Sequence, residues 1–158
     1  QIVYENLING FPTHEMRYVA ELSRADCMLA LAGNDSDGLA DAVIILERLL
    51  DLPNLPLDFQ AEAAQKWAFA LIKSGSSEKA KEVLWLSVDR FIGDGEKAAA
   101  LGAAGRYWLA RSMLQLGEIF EKQDNLAEAR KVYRQVIAYN LPGRHIAISR
   151  VDQILEVE

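Results

Sequence analysis

The chain has 158 residues, of which 51% are hydrophobic and 25% charged. That balance excludes a disordered polar chain and gives enough apolar material for one domain or about three to four helical hairpins. The net charge of -6 argues against a nucleic-acid surface, which is normally basic. It is unevenly spread: residues 1–95 hold 15 acids and 8 bases, net -7, and residues 96–158 hold 8 acids and 9 bases, net +1. An ordinary solvated surface accounts for this, and a partner with a basic segment would favour the first half.

Residues 1–12 read as the trailing helix of a truncated hairpin. Tyr4, Leu7 and Ile8 have the spacing that returns at Tyr133, Val136 and Ile137, and Pro12 closes the segment as Pro142 closes the later one. The first residue is Gln1, so we expect the chain to begin inside a longer protein from which further helices or a targeting segment were removed. Thr13 can cap the next helix, which runs to about Ala32 with Val19, Leu22, Cys27, Leu29 and Ala30 on buried or partly buried faces. The turn 33–38, GNDSDG, leads to a return helix from Leu39 to Leu50 with Ala42, Leu46, Leu49 and Leu50 as its apolar stripe. The pair forms a hairpin over 13–52.

Two prolines, Pro53 and Pro56, exclude a continuous helix through the linker that follows. The hairpin over 58–92 starts with Asp58 as cap, packs through Ala64, Trp67, Ala68 and Leu71, turns at 74–76 and returns through Ala80, Leu84 and Val88. After the loop at Gly93-Asp94-Gly95, the span from Glu96 to about Gln123 fits one long helix, with a bend or an extra short helix allowed by its small residues 98–105. It forms the first arm of a hairpin over 96–142. Met113, Leu114, Leu116 and Phe120 make one stripe; after a break at Asp124-Asn125, with Asp124 as cap, Leu126, Ala129, Val132, Tyr133, Val136 and Ile137 make the other. Leu141-Pro142-Gly143 ends it. A last helix over 144–158 places Ile148, Val151, Ile154 and Leu155 on one face, as a cap on the preceding hairpin.

Leu116-Gly117 followed by Phe120, then Ala129, Tyr133 and Pro142, resembles the tetratricopeptide repeat pattern. Gly117 lets the second helix approach closely, and Ala129 sits at the closest point. Val136 stands where the pattern has alanine, and Pro142 falls one residue late. Equivalent points at Tyr4, Leu46, Leu84 and Tyr133 are 42, 38 and 49 residues apart, against 34 in the plain repeat, so these are divergent units. The resemblance implies an all-α fold, a right-handed superhelical solenoid of antiparallel helix hairpins forming a single domain over 1–158.

Little points to catalysis. His14 and His145 are far apart and outside any metal-ligand spacing, and no phosphate-cradling glycine motif follows a strand. Ser and Cys side chains have no recognisable supporting base. The 34–38 stretch, NDSDG, lacks both the first acidic ligand and the closing glutamate of a calcium loop, Gly33 and Ile44 standing there, so it reads as a turn capping a helix through Asp37. We expect no enzyme activity, metal or cofactor. Cys27 is the single cysteine and forms no internal disulfide. No apolar run approaches the roughly 18 residues of a membrane span, and no signal-peptide pattern opens the chain. Bacterial periplasm and cytoplasm are both open.

The resemblance also implies a site: the first helix of each hairpin lines the concave side. That places Arg24, Met28 and Leu31, then Lys66, Phe69 and Lys73, then Arg111, Gln115, Glu118 and Lys122 on a groove for a peptide or partner helix. Met28, Leu31 and Phe69 fit helix packing equally well. Trp67 matches a buried repeat position; Trp85 and Trp108 have no such match. The clamp asparagine of chaperone-tail receptors is replaced by Leu31, Phe69 and Glu118, which argues against that ligand. The expected function is a noncatalytic protein-interaction scaffold. The alternative is a self-association module, homo-oligomeric or joined to further repeats, pairing through the open edge of Tyr4, Leu7 and Ile8.

Overall fold

A computed structural model describes residues 2–10, 16–33 and 36–157. Every regular element among them is helical: α1 Ile2–Gly10, α2 Met16–Ala32, α3 Ser36–Leu50, α4 Leu57–Lys73, α5 Ser77–Ile92, α6 Gly95–Ala100, α7 Ala103–Lys122, α8 Leu126–Ala138 and α9 Arg144–Val157. The fold is all-α. Successive helices α1 to α5 pack on one another, as do α7, α8 and α9, and α7 also packs on α4 and α5.

Helix α4 is the central element, and its sequence explains why. Ala61, Ala63, Ala64, Ala68 and Ala70 are buried on several sides of it, so α3, α5 and α7 all approach closely without side-chain bulk in the way. Three groups of core residues meet there. The largest runs from Ala61 through Leu84, Leu109, Leu116 and Tyr133 to Ile154, the second joins Leu22, Ile45 and Leu46 to Ala63, and the third joins Leu29, Leu39 and Ala42 to Ala70. Half-buried Trp67 touches the first two groups.

Several ends differ from expectation. Of the alternatives for the span 96–123, the extra short helix is the one present: Leu101 is extended at φ -65, ψ 130 and its side chain is buried, which ends α6 before α7 begins. Asp94 caps α6, accepting from the amides of Glu96 and Lys97; the lysine beside it, more than any other cause, holds its carboxyl below the usual range. Asp58 does not cap its own helix, whose N-cap is Pro56. Its carboxylate instead accepts from the Gly102 amide at 2.9 Å, tying the start of α4 to the start of α7. A tertiary donor 44 residues away has taken the carboxylate that local pattern assigned to a cap.

At the turn from α7 to α8, Asp124 adopts φ 58 and Asn125 is the cap, its side chain accepting from Glu128 N–H. Asp124 supplies the left-handed corner, which a short polar side chain tolerates. Similarly, α3 begins at Ser36, so Asp37 lies inside its first turn and does not precede it. Val19 and Ala30 are exposed, unlike Leu22 and Leu29. On α9 the buried stripe is Ala147, Val151 and Ile154, while Ile148 and Leu155 face outward. Alanine at 147 permits the close contact with α8 that isoleucine at 148 would prevent. The expected cap at Thr13 lies outside the described residues, as does the side chain of Leu7.

Arg106 closes the C-terminal end of α8 by donating to the carbonyls of Tyr139 and Asn140 at 3.0 and 3.1 Å. These are carbonyls that a helix end leaves without intrahelical donors. Arg106→Ala is expected to lower stability by about 1–2 kcal/mol, read from urea unfolding, with loss of amide-exchange protection concentrated at 136–143. Unchanged protection there would refute a capping role.

Candidate functional site

The expected groove residues come from α2, α4 and α7, and the fold brings only part of the set together. Two adjoining recesses form the centre. One, of about 330 Å³, is walled by Asp26, Lys66, Phe69, Lys73 and Trp108. The other, of about 360 Å³, is walled by Tyr107, Leu114, Gln115, Glu118 and Ile146. Gln65 and Arg111 line both, so the recesses share a wall and make one uneven surface.

Lys66 is 6% exposed. Its ammonium donates to Asp26 at 2.7 Å and to Glu62, and lies 5.2 Å from the centre of the Trp108 ring. A buried ammonium needs such partners, because desolvation otherwise exceeds what a single contact returns. Lys66 therefore holds α2, α4 and α7 in register. Gln65 is also buried and donates to Gln115 at 3.3 Å across α4 and α7.

The accessible cations are Lys73 and Arg111. The first lies over Phe69 at 5.4 Å; the second sits 5.8 and 5.7 Å from the rings of Tyr107 and Trp108 and donates to the Tyr107 hydroxyl at 3.1 Å. Aromatic faces keep both cations in place while leaving their charge unneutralised by any described carboxylate. Glu118 is exposed on the rim of the second recess.

Four expected residues fall elsewhere. Arg24 is turned toward α1, paired with Glu5 at 3.4 Å. Met28 is half-buried and packs against both smaller core groups, so it belongs to the core between α2, α3 and α4. Leu31 is 80% exposed but lines neither recess, and Lys122 is exposed at the far end of α7. Sequence reasoning missed Asp26, Gln65, Tyr107 and Trp108. The last two were detectable: they stand four and three residues before Arg111, the spacing at which helical side chains meet. The Asp26–Lys66 pair, 40 residues apart, gave no local signal.

Trp85 lies away from this surface, half-exposed and edge-on to Phe120 at 6.2 Å. Comparison with protein-family models, with curated proteins and with solved structures found no match for this chain.

Proposed function

We propose that the chain is a noncatalytic protein-recognition scaffold, a divergent tetratricopeptide-like solenoid that receives a peptide or partner helix across α2, α4 and α7. The observation that carries this reading is the shared wall of the two recesses, where Arg111 is braced by two aromatic rings yet lacks an acidic partner. Apolar contact area and a fixed polar group on rigid helices suit peptide recognition, the first giving affinity and the second orientation. The pairing of α2 with α3, α4 with α5 and α7 with α8, with α4 joining all three, supports stacked hairpins.

The test is quantitative capture of proteins from the source cell's extract by the native chain and by Phe69→Glu, Arg111→Gln. Both positions are exposed, so the variant is expected to keep its helicity and melting temperature. Capture retained by native protein and lost by the variant supports the groove. Capture indifferent to the variant overturns it.

A second reading rests on a separate observation. Ile2 and Val3 are each 73% exposed on α1, leaving an apolar edge that a second copy or further repeats of the chain would cover. Concentration-dependent mass in sedimentation, abolished by Ile2→Ser, Val3→Ser, is the result this reading requires.

A further inference from the structure

Charge is unevenly divided between the two recesses of the α2, α4, α7 surface. The charged residues lining the recess of about 330 Å³ are Asp26, Lys66, Lys73 and Arg111, three bases against one acid, in a chain whose net charge is -6. Lys66 is occupied by Asp26 and by Glu62, and with Glu62 counted as well positive charge still exceeds negative by one. Lys73 lies on Phe69 and Arg111 on Tyr107 and Trp108, and neither meets a carboxylate among the described residues. The recess of about 360 Å³ has only Arg111 and Glu118 as charged lining, beside apolar Ala110, Leu114 and Ile146.

The wall between the recesses makes a second selection. Buried Gln65 donates to half-buried Gln115, which uses one N–H and one carbonyl of the two side-chain amides. Whichever glutamine donates, one carbonyl oxygen and one NH2 group remain, and no described residue answers them. A helix holds its interior N–H and C=O groups in its own ladder and has none to offer such a pair. An extended chain presents the N–H and C=O of alternate residues along one edge, as a strand does to its neighbour, and can meet both.

We propose that this surface receives an extended acidic segment from the interior of a partner protein. An aspartate or glutamate of that segment meets Lys73 and Arg111, its backbone meets Gln65 and Gln115, and an apolar side chain two residues away packs on Leu114 and Ile146. The proposal rests on the protein-recognition reading above and narrows it from a peptide or helix to one chain conformation and one sign of charge. Side chains at i and i+2 of an extended chain lie on one side, about 7 Å apart, which suits two recesses with a common wall. Glu118 repels an acid from the second recess, so like charge fixes which recess takes the acid and which the apolar residue.

The probe is a fluorescent peptide of about ten residues, capped at both ends, with glutamate and leucine alternating at every second position and serine between them, so that both face one side when extended. Anisotropy titration of the native chain should detect it, with affinity falling as salt rises. A lysine-for-glutamate counterpart should bind at least about tenfold more weakly, since it meets like charge at Lys73 and Arg111. N-methylation of the serine amides removes backbone donors without changing charge and should weaken binding about fivefold, the effect of one lost hydrogen bond. A crosslinked helical peptide of the same composition should bind at least as weakly as the N-methylated one. Lys73→Gln, Arg111→Gln should weaken binding of the glutamate peptide about tenfold, as two charge pairs of modest individual effect give. The same charge change at exposed cations outside the groove, Lys79→Gln, Arg90→Gln, should leave binding within about twofold of native. Unchanged melting temperatures establish that both double variants are folded. Equal binding of the glutamate and lysine peptides, equal loss in the two double variants, indifference to N-methylation, or tighter binding of the helical peptide would each overturn the proposal. Equally tight binding of a serine–leucine peptide whose only acid is a free C-terminal carboxylate would assign the cations to a chain terminus and likewise overturn it. Absence of glutamate-peptide binding, with capture from extract still lost in Phe69→Glu, Arg111→Gln, refutes the extended acidic segment and leaves the groove reading standing; absence of both removes the groove itself.

Discussion

Gly117→Ala is expected to lower the unfolding free energy by about 2 kcal/mol, although alanine is ordinarily the better helix former by up to about 1 kcal/mol. A Cβ at 117 would stand 2.5 Å from Tyr133 Cζ and 2.9 Å from its hydroxyl oxygen. The ring has nowhere to go: Tyr133 is 1% exposed and its hydroxyl donates to Glu121, which also holds Arg150 of α9. Helix α8 must retreat from α7, loosening buried Ala129 and Val136. Tyr133→Ala alone should cost about 4 kcal/mol, through the cavity it leaves, and in that background Gly117→Ala should cost nothing or stabilise slightly. Urea unfolding of the four proteins would give a coupling of about 2 kcal/mol. An equal cost of Gly117→Ala in both backgrounds would refute the close-approach account.

The same tyrosine predicts a pH dependence. Burial first, and the Glu121 hydrogen bond second, push the phenol well above its ordinary value. An acid whose folded pKa is raised stabilises fully below the unfolded value of about 10 and loses that contribution as pH rises above it. Native protein should therefore lose stability on titration from about pH 10 upward, and Tyr133→Phe should show less of that loss.

What could be read from sequence follows from how far each cause acts. The α7–α8 pair was legible because Gly117, Ala129 and Tyr133 are close in sequence and their sizes state the contact. Turn residues were legible as turns, but the division of labour within them was not: Asp124 and Asn125 are chemically alike, and only the backbone shows which turns the corner and which caps. The buried face of α9 was misread because isoleucine and leucine outrank alanine by hydrophobicity, whereas the packing distance selected Ala147. Long-range polar contacts were invisible. Asp58 looked like a cap until Gly102 took its carboxylate, and Lys66 looked like a groove cation until Asp26 and Glu62 enclosed it.

Lys66 carries the largest charge effect expected in the molecule. Lys66→Glu would bring a third carboxylate against Asp26 and Glu62 at a buried position and should cost about 4 kcal/mol, the order seen when a buried pair is broken and its charge left uncompensated. Lys66→Met should cost less, about 2 kcal/mol: methionine fills a similar volume and keeps contact with Trp108, and of the two carboxylates left behind Asp26 is half-exposed and solvated while Glu62, 19% exposed, bears the loss. Thermal unfolding of the two variants separates packing from charge; equal destabilisation would mean that volume and not ion pairing fixes α2, α4 and α7 in place. The comparison also bears on recognition. Lys66 is fully occupied within the protein, whereas Lys73 and Arg111 are not, so Lys66→Met should preserve capture of a groove partner while Lys73→Gln, Arg111→Gln abolishes it. Loss of capture in the folded methionine variant would move Lys66 from holding the surface together to contacting what binds there.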